Sequence, residues 1–425
     1  MLGDYPAAPW AQIGVGDSRT PIQSGIWDVS HWDTDGDRWS GVEPTWLDRS
    51  CEGIAVQSMA GRPRIGDPFD VGTAELTFRN LDGWGDMQAP IDPAALVLRP
   101  GRAIRYGVDT PTGRHILFRG FVDDAIPVYA PYATDVVGLA CIDALGEAGR
   151  VKVAPVDPPV GAGETASARA ARVLDAVGWP TSKRDINTAS TRLVATGLGA
   201  DALDLLTLAA DSCGGAVFGD LAGNVAFRMR DWQTFVPGPP DATVGNVDAG
   251  DVCPQGWELS FRRRETAVVA RMGRTVDEVV VVVDEAAMPA LGAETYERVD
   301  LATMSDGDLY RLALRILRVR GMATMPRVEA VVLDAATDPG DGRVVELMAT
   351  ARPETPTRLR CRLVTKTGRA VFDAEYFVAS AEHTITENGR WTCRLGLDLA
   401  APFAAAGGRW DLAGWDRATW TATAP

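Results

Sequence analysis

Alternating apolar and polar residues mark β-strands in two separate stretches of the chain. The first stretch begins near residue 50 and predicts strands at 72–80, 102–108, 114–130 and 135–144. The second stretch predicts strands at 278–284, 327–335, 358–366, 369–385 and 390–400. The Asn388-Gly389 pair marks the turn of its last hairpin. Several short antiparallel strands in about a hundred residues are typical of a barrel or sandwich, so each stretch is expected to form a β-block.

The hydrophobic period changes to that of helices between the two β-stretches. Residues 165–180 and 201–215 have apolar side chains on one helical face and end at glycines. A hairpin is predicted at 216–230, and Pro/Gly-rich linkers at 156–164 and 237–251 bound the region. A further helix is predicted at 305–321, with Ser305 as its N-cap. The region between the linkers is therefore expected to form a small α/β module.

These patterns predict a β-rich α+β protein in which two antiparallel β-barrels flank a small α/β module. The expected parts are a Trp-rich N-terminal arm, a first barrel, an α/β insert, a second barrel that includes the helix 305–321, and a Trp-rich C-terminal arm. Their expected boundaries are 1–45, 46–155, 156–240, 241–400 and 401–425. The two arms have no clean periodicity and are expected to be extended.

The charge and cysteine content exclude several classes of protein. The net charge of −15 argues against sequence-independent nucleic-acid binding, which needs clustered Lys and Arg. No window approaches the roughly 20 apolar residues of a membrane span, and residues 1–10 do not resemble a signal peptide. The six cysteines form no Cys-x-x-Cys pair. Free thiols in a reducing compartment are expected, so the chain is predicted to fold in a cytoplasm.

The chain contains no recognisable catalytic, cofactor or metal motif. Its three histidines, His31, His115 and His383, lie in different segments without partners at metal-ligand spacing. The turn DTDGD (33–37) resembles the start of a calcium loop, but Arg38 and Pro44 occupy the two positions that such a loop depends on. An exposed acidic turn is favoured there, and a loose calcium site is the alternative. The expectation is no catalytic, cofactor or metal site, which points to a structural or interaction protein.

Several segments resemble, in the same order, the tail hub proteins of long-tailed bacteriophages. These segments are GTAELTFRNLDG (72–83), RPGRAIRYGV (99–108), RHILFRGFVDDA (114–125), FGDLAGNVAFRMR (218–230) and AEHTITENGRWTCRLGLDLA (381–400). The helices at 165–178 and 201–213 resemble the module inserted in that family. The segment DMQAPIDPAALVL (86–98) lacks the Ser-Pro-Tyr often found there. The composition and the Trp-rich ends are similar to minor tail proteins of siphovirus-type phages that infect actinobacteria.

The resemblance implies a structural part of the tail tip, or baseplate hub, located in the virion. Such a hub forms a ring that joins the sixfold tail tube to threefold tip proteins, and it takes part in host attachment and DNA passage. The implied subunit carries two barrels similar to the tail-tube fold, so a homotrimer presents six. Implied partners are the distal tail protein, the tail tube, the tape measure protein and other tip proteins. Two other interpretations stay open: a distal tail or host-receptor-binding tail protein, and a cell-wall polysaccharide hydrolase.

The two arms share a tryptophan-aspartate pattern, WDVSHWDTDGDRW (27–39) and WDLAGWDRATW (410–420). Tryptophan buries a large area and keeps one N–H to satisfy, so it anchors extended arms well. The arms either pack on their own subunit or reach neighbouring subunits, where tryptophan is a common hot spot. The candidate inter-subunit anchors are Trp27, Trp32, Trp39, Trp410, Trp415 and Trp420.

Overall fold

Strands dominate the computed structural model of the chain. The structure describes residues 8–15, 44–50, 53–64, 67–80, 100–130, 134–229, 232, 239–246, 250–260, 267–285, 288, 294–321, 327–338, 340, 342–364, 367 and 370–400. Within these ranges it has 21 strands and five α-helices, so the protein is β-rich with few helices. Thirteen of the strands form one continuous sheet.

Seven strands of this sheet come from the first part of the chain and form the first block. They are β1 (Ala8–Val15), β2 (Thr45–Asp48), β3 (Gly53–Gly61), β4 (Asp70–Arg79), β5 (Ala103–Thr110), β6 (Gly113–Val128) and β7 (Val136–Ile142). Their order in the sheet is β3-β4-β7-β6-β5-β1-β2, and all neighbours are antiparallel. Alternate residues of β4 are buried, as the alternating sequence predicts.

Six strands from the last part of the chain form the second block. In chain order they are β13 (Ala242–Gly245), β14 (Gly256–Ser260), β18 (Arg327–Asp334), β19 (Arg358–Val364), β20 (Ala370–Ile385) and β21 (Trp391–Leu399). Their order is β14-β18-β21-β20-β19-β13. Only the outermost pair, β13 with β19, is parallel.

Five strands of each block have the same order and the same connectivity, whereas the strand beyond them is antiparallel in the first block and parallel in the second. The order β3-β4-β7-β6-β5 in the first block corresponds, strand by strand, to the order β14-β18-β21-β20-β19 in the second block. The long strands β6 and β20 both have 16 residues. Each has a one-residue bulge against the next strand, at Asp123 and at Ala379, which are 256 positions apart (379 minus 123). The fold is therefore built from a repeated β-unit.

In the described residues, the strands expected to form two barrels belong to one open sheet. The strand order runs from β14 at one end to β2 at the other, and no described strand connects those ends. The two blocks also share one hydrophobic core, which extends from Ile13 in β1 to Leu397 in β21. The described part of the chain thus supports a repeated β-architecture within one open sheet.

The α/β insert has its own hydrophobic core. Its elements are α1 (Ala144–Gly149), β8 (Pro155–Val160), α2 (Ala166–Ala176), β9 (Arg184–Ile186), β10 (Thr196–Leu198), α3 (Ala202–Cys213), β11 (Ala216–Gly219) and β12 (Val225–Arg228). Both predicted helices are present, and α3 ends at Gly214 in the left-handed conformation. The core begins at Ala144, before the expected boundary at 156, because α1 packs against α3.

A third small unit interrupts the second block between β14 and β18. It consists of β15 (Val269–Gly273), β16 (Val279–Val283), β17 (Thr295–Arg298) and α4 (Asp306–Gly321). The predicted helix is confirmed, and the Ser305 hydroxyl accepts a hydrogen bond from the Asp308 N–H at 3.3 Å. Its apolar stripe packs on β15 and β16, with a core separate from that of the long sheet. The last helix, α5 (Arg343–Thr350), instead covers the shared core of the blocks.

Candidate assembly surface

The joint between the two blocks lies along one edge of strand β20. Residues Ala370–Phe377 of β20 pair with β19, and Ser380–Ile385 pair with β3. Gly61 stands at the end of this joint with a φ of +123°. A methyl group on Gly61 would lie 2.4 Å from the Ala379 carbonyl oxygen, so only glycine fits there. The joint makes one sheet out of two blocks.

A buried arginine lies where the long sheet meets the other two units. Arg62 is 2% exposed, and its guanidinium carbon lies 4.7 Å from the centre of the Phe69 ring. Burial, together with the charge of Arg315, lowers the pKa of Arg62 to about 9. Nearby Asp67 and Asp211 oppose this shift, so the guanidinium is charged at neutral pH. Such a charge is stable inside a protein only when it is paired.

Two ion pairs extend this charged cluster into the insert and the third unit. The Arg320 Nη2 atom lies 2.8 Å from the Asp67 Oδ1 atom, which ties α4 to the segment before β4. The Arg298 Nη1 atom lies 2.7 Å from the Asp211 Oδ2 atom, which ties β17 to α3. Because the acidic partners are largely buried, we expect these contacts to fix how the three units sit together.

A second buried acid connects the first block to the insert. Asp143 caps α1 by accepting a hydrogen bond from Gly146 N at 2.8 Å, and it accepts another from Gly72 N at 2.8 Å. A methyl group on Gly72 or Gly219 would lie within 2.8 Å of the Asp143 carboxyl group. Three elements thus converge on one carboxyl group, because glycine lets their backbones approach it.

Stability is expected to depend on pH through Asp143. Burial raises its pKa to about 6 from the usual 3.8, although its backbone donors oppose the shift. A raised pKa in the folded state stabilises the fold below about pH 4, and this contribution is lost as the pH rises through about 6. Between pH 7.5 and pH 5 the wild type should gain about 1 kcal/mol relative to Asp143→Asn. Urea unfolding of both proteins at the two pH values measures this, and parallel pH dependences would contradict it.

Arginines stacked on tryptophans hold the outer edge of the first block. The Arg105 guanidinium carbon lies 4.1 Å from the centre of the Trp46 ring, and that of Arg114 lies 4.9 Å from the centre of the Trp10 ring. Arg105 Nε also donates to Gln12 Oε1 at 2.9 Å. Each stacking contact contributes about 0.5–1 kcal/mol at partly exposed sites. Strand β1, in the stretch assigned to the N-terminal arm, is thus an integral strand of the sheet.

A groove lies between the β5–β6 turn and helix α5. It has a volume of about 740 Å³, and its lining includes Thr112, Thr243, Arg343 and Glu346. The His115 Nε2 atom lies 3.6 Å from the Glu346 Oε2 atom, which connects the two blocks. Among the described residues no group of His, Cys, Asp or Glu side chains is arranged to hold a metal ion. The groove is therefore lined by hydroxyl and charged groups.

The sequence-predicted sites fall largely outside this surface. The six candidate anchors, Trp27, Trp32, Trp39, Trp410, Trp415 and Trp420, lie outside the described residues, as does the turn 33–37. His115 is at the groove, whereas His383 is buried and accepts a hydrogen bond from the Trp391 indole N–H at 3.4 Å. Burial lowers the pKa of His383 to about 3, so it is neutral at physiological pH. None of the described helices is long and apolar enough to cross a membrane.

The fold is similar to that of solved phage tail proteins. The tail protein from Neisseria meningitidis MC58 matches with a TM-score of 0.56 at 12% identity, over 94% of this chain and 99% of that one. The 43 kDa tail protein of prophage MuSo2 from Shewanella oneidensis matches with a TM-score of 0.53 at 15% identity, over 82% of this chain and 95% of that one. No protein-family model and no curated protein sequence matches the chain.

A third similar structure is the half-lidded PdpA-VgrG complex of Francisella. It matches with a TM-score of 0.50 at 9% identity and covers 93% of this chain and 58% of the matched chain. The two tail proteins, in contrast, match over nearly their whole length. The protein therefore has the fold of phage tail proteins.

Proposed function

We propose that the protein is a structural component of a phage tail, located at the tail tip as a baseplate hub. The observation that carries this proposal is the repeated strand order of the two blocks. A chain with two like blocks gives six blocks in a trimer, and so matches a sixfold tube to threefold parts. The fold similarity to two tail proteins over nearly their whole length supports the same role.

In the proposed assembly each block closes into a barrel similar to the tail-tube fold, and the homotrimer is the working unit. The insert 156–240 and the third unit stand beside the barrels. The partners are the tail tube, the distal tail protein, the tape measure protein and other tip proteins. The role is structural and not enzymatic, and it includes host attachment. The siphovirus-type, actinobacterial origin rests on the sequence resemblance described above.

The proposed ring surrounds the path of the DNA and binds no specific nucleic-acid sequence. The net charge of −15 supports this, because an acidic lumen wall repels DNA and lets it pass. Folding is proposed to take place in the host cytoplasm before assembly. The five cysteines in the described part of the chain are free thiols, four of them buried, which fits a reducing compartment.

The proposed role is tested by locating the chain on phage particles. Antibodies against the folded chain should label purified particles at the tail tip, away from the capsid, when viewed by electron microscopy. A capsid protein of the same particle is the labelling control. Label along the tube, on the capsid or nowhere on intact particles would reject the proposed location.

The mass of the assembled chain separates the hub from a distal tail ring. A trimer has three times 45.3 kDa, about 136 kDa, and a hexamer about 272 kDa. Native mass spectrometry of the purified full chain should give the trimer. A hexamer would favour the distal tail interpretation, because six copies match the tube without a repeated block.

A further inference from the structure

The joint between the blocks has a counterpart that no described strand occupies. In β20, the last contact with the β19 side is the bond from Val378 N to Thr357 O at 3.1 Å. Beyond it, the same edge of β20 binds β3 through Ser380–Ile385. One strand edge therefore binds two partners in succession.

Strand β6 has the same arrangement in the first block. Val122 makes its last contacts with the β5 side, because its N–H donates to Arg102 O and its carbonyl oxygen accepts from Gly101 N, both at 2.8 Å. Beyond it, Asp124–Val128 pair with β7 on one edge. On the opposite edge, the described strands provide no partner for these residues. This edge of β6 corresponds to the edge of β20 that binds β3.

Strand β14 also has an edge that pairs with no described strand. It holds the place of β3 in the second block and pairs with β18 along one edge. It is the terminal strand of the sheet, so no described strand pairs with its other edge. In the first block the corresponding edge of β3 binds β20. Among the described strands, these two unpaired edges thus correspond to the two sides of the β20–β3 joint.

Apolar side chains are exposed at both of these edges. Ile126 is 56% and Val128 51% exposed on β6, and Leu259 is 50% exposed on β14. An unpaired strand edge with large apolar side chains is a template for pairing with another chain. Within one chain the β20–β3 pairing already uses the matching edges, so a second copy is the occupant that completes the series.

We infer that Ile126–Val128 of one copy pair antiparallel with Glu258–Ser260 of β14 in the next copy and repeat the β20–β3 joint between chains. The inference rests on the proposed homotrimer and names its interface. Thr384 faces Gln57 within the chain. Val128 in β6 corresponds to Thr384 in β20, and Glu258 in β14 corresponds to Gln57 in β3. Val128 of one copy therefore faces Glu258 of the next.

This pairing makes a closed, self-limiting ring. Joints within a chain alternate with joints between chains, and every block is related to the next by the same kind of strand pairing. Such a heterologous contact closes into a ring when its rotation fits the number of copies. The two joints are not identical, because Pro127 stands where β20 has His383 and brings no N–H to the ladder.

Engineered cysteines test this interface directly. The background chain carries Cys51→Ser and Cys253→Ser, which removes the remaining cysteine outside the described residues and the exposed one. In that background, Val128→Cys combined with Glu258→Cys should form covalent dimers and trimers under mild oxidation of the purified full chain. Val276→Cys combined with Glu258→Cys is the control, because Val276 is 69% exposed and lies in the turn between β15 and β16, outside both edges. Covalent trimers from the first pair alone are the expected result.

A second pair of variants removes the dependence on disulfide geometry. Leu259→Asp should weaken trimer formation at least tenfold, whereas Val276→Asp should leave it unchanged. The melting temperature of each variant reports whether its subunit is still folded. Trimers that do not cross-link and that tolerate Leu259→Asp would overturn this interface but keep the hub proposal. A wild-type chain that is monomeric at all concentrations would reject the trimer itself.

Discussion

Replacing Gly61 with alanine is expected to lower the free energy of unfolding by about 3 kcal/mol or more. Gly61 has a φ of +123°, and its new methyl group would lie 2.4 Å from the Ala379 carbonyl oxygen and 2.5 Å from the Ser380 Cα atom. Both neighbours belong to the backbone of β20, so relief requires β3 and β20 to separate. Chemical denaturation of the purified chain measures the loss.

Gly113→Ala is the matched control for this change. Gly113 has a similar φ of +146°, but no atom lies within 4 Å of the place of its Cβ. Alanine at position 113 therefore introduces backbone strain without a steric clash, and we expect it to lower the free energy of unfolding by about 1 kcal/mol. Equal losses for the two variants would mean that close packing of β20 against Gly61 adds no cost beyond backbone strain.

Replacing an arm tryptophan with alanine is expected to weaken assembly and leave the subunit folded. If Trp27 and Trp415 are inter-subunit anchors, each truncation should cost about 2 kcal/mol or more of association free energy. That corresponds to at least about a tenfold higher trimer dissociation constant. Sedimentation of the wild type, Trp27→Ala and Trp415→Ala over a range of concentrations measures it.

Conservative variants identify the cause of such a loss. Trp27→Phe and Trp415→Phe keep an aromatic ring and should recover part of the affinity. The melting temperatures of all variants should match that of the wild type. Alanine variants that melt early and associate normally would instead place the arms on their own subunit.

The strands and helices with strong periodicity could be predicted from the sequence. Helix α4 was expected at 305–321 and spans Asp306–Gly321, because its apolar stripe and its Ser305 cap are local signals. The long strand expected at 369–385 spans Ala370–Ile385 for the same reason. Helix α5 was missed, because its eight residues are too few for a clear period.

The family resemblance implies two like barrels, but the residues themselves show no recognisable repeat. Phe121 and Val122 in β6 recur as Phe377 and Val378 in β20, but few other residues of the two hairpins are identical. A strand constrains only which positions are apolar, so many sequences fit the same pairing. Pairing partners more than 300 residues apart, such as Gln57 and Thr384, have no local signal at all.

The buried charges were beyond sequence reasoning for a related reason. Arg62 and Asp143 look like ordinary polar residues in the chain, and their burial follows from how distant units pack around them. Gly72 near Asp143 gives a weak signal, since a glycine inside a strand suggests a close approach of another group. The arm tryptophans are the opposite case, with a clear sequence pattern and a role that is still a prediction.

Electron cryo-microscopy of the tail tip tests the central claim most directly. The account predicts three copies of this chain in one ring around the tail axis, with six like β-blocks at nearly equal angles. Within the ring, β20–β3 joints should alternate with β6–β14 joints between copies. Six copies in the ring, or three copies whose second block stands apart from the first, would contradict it.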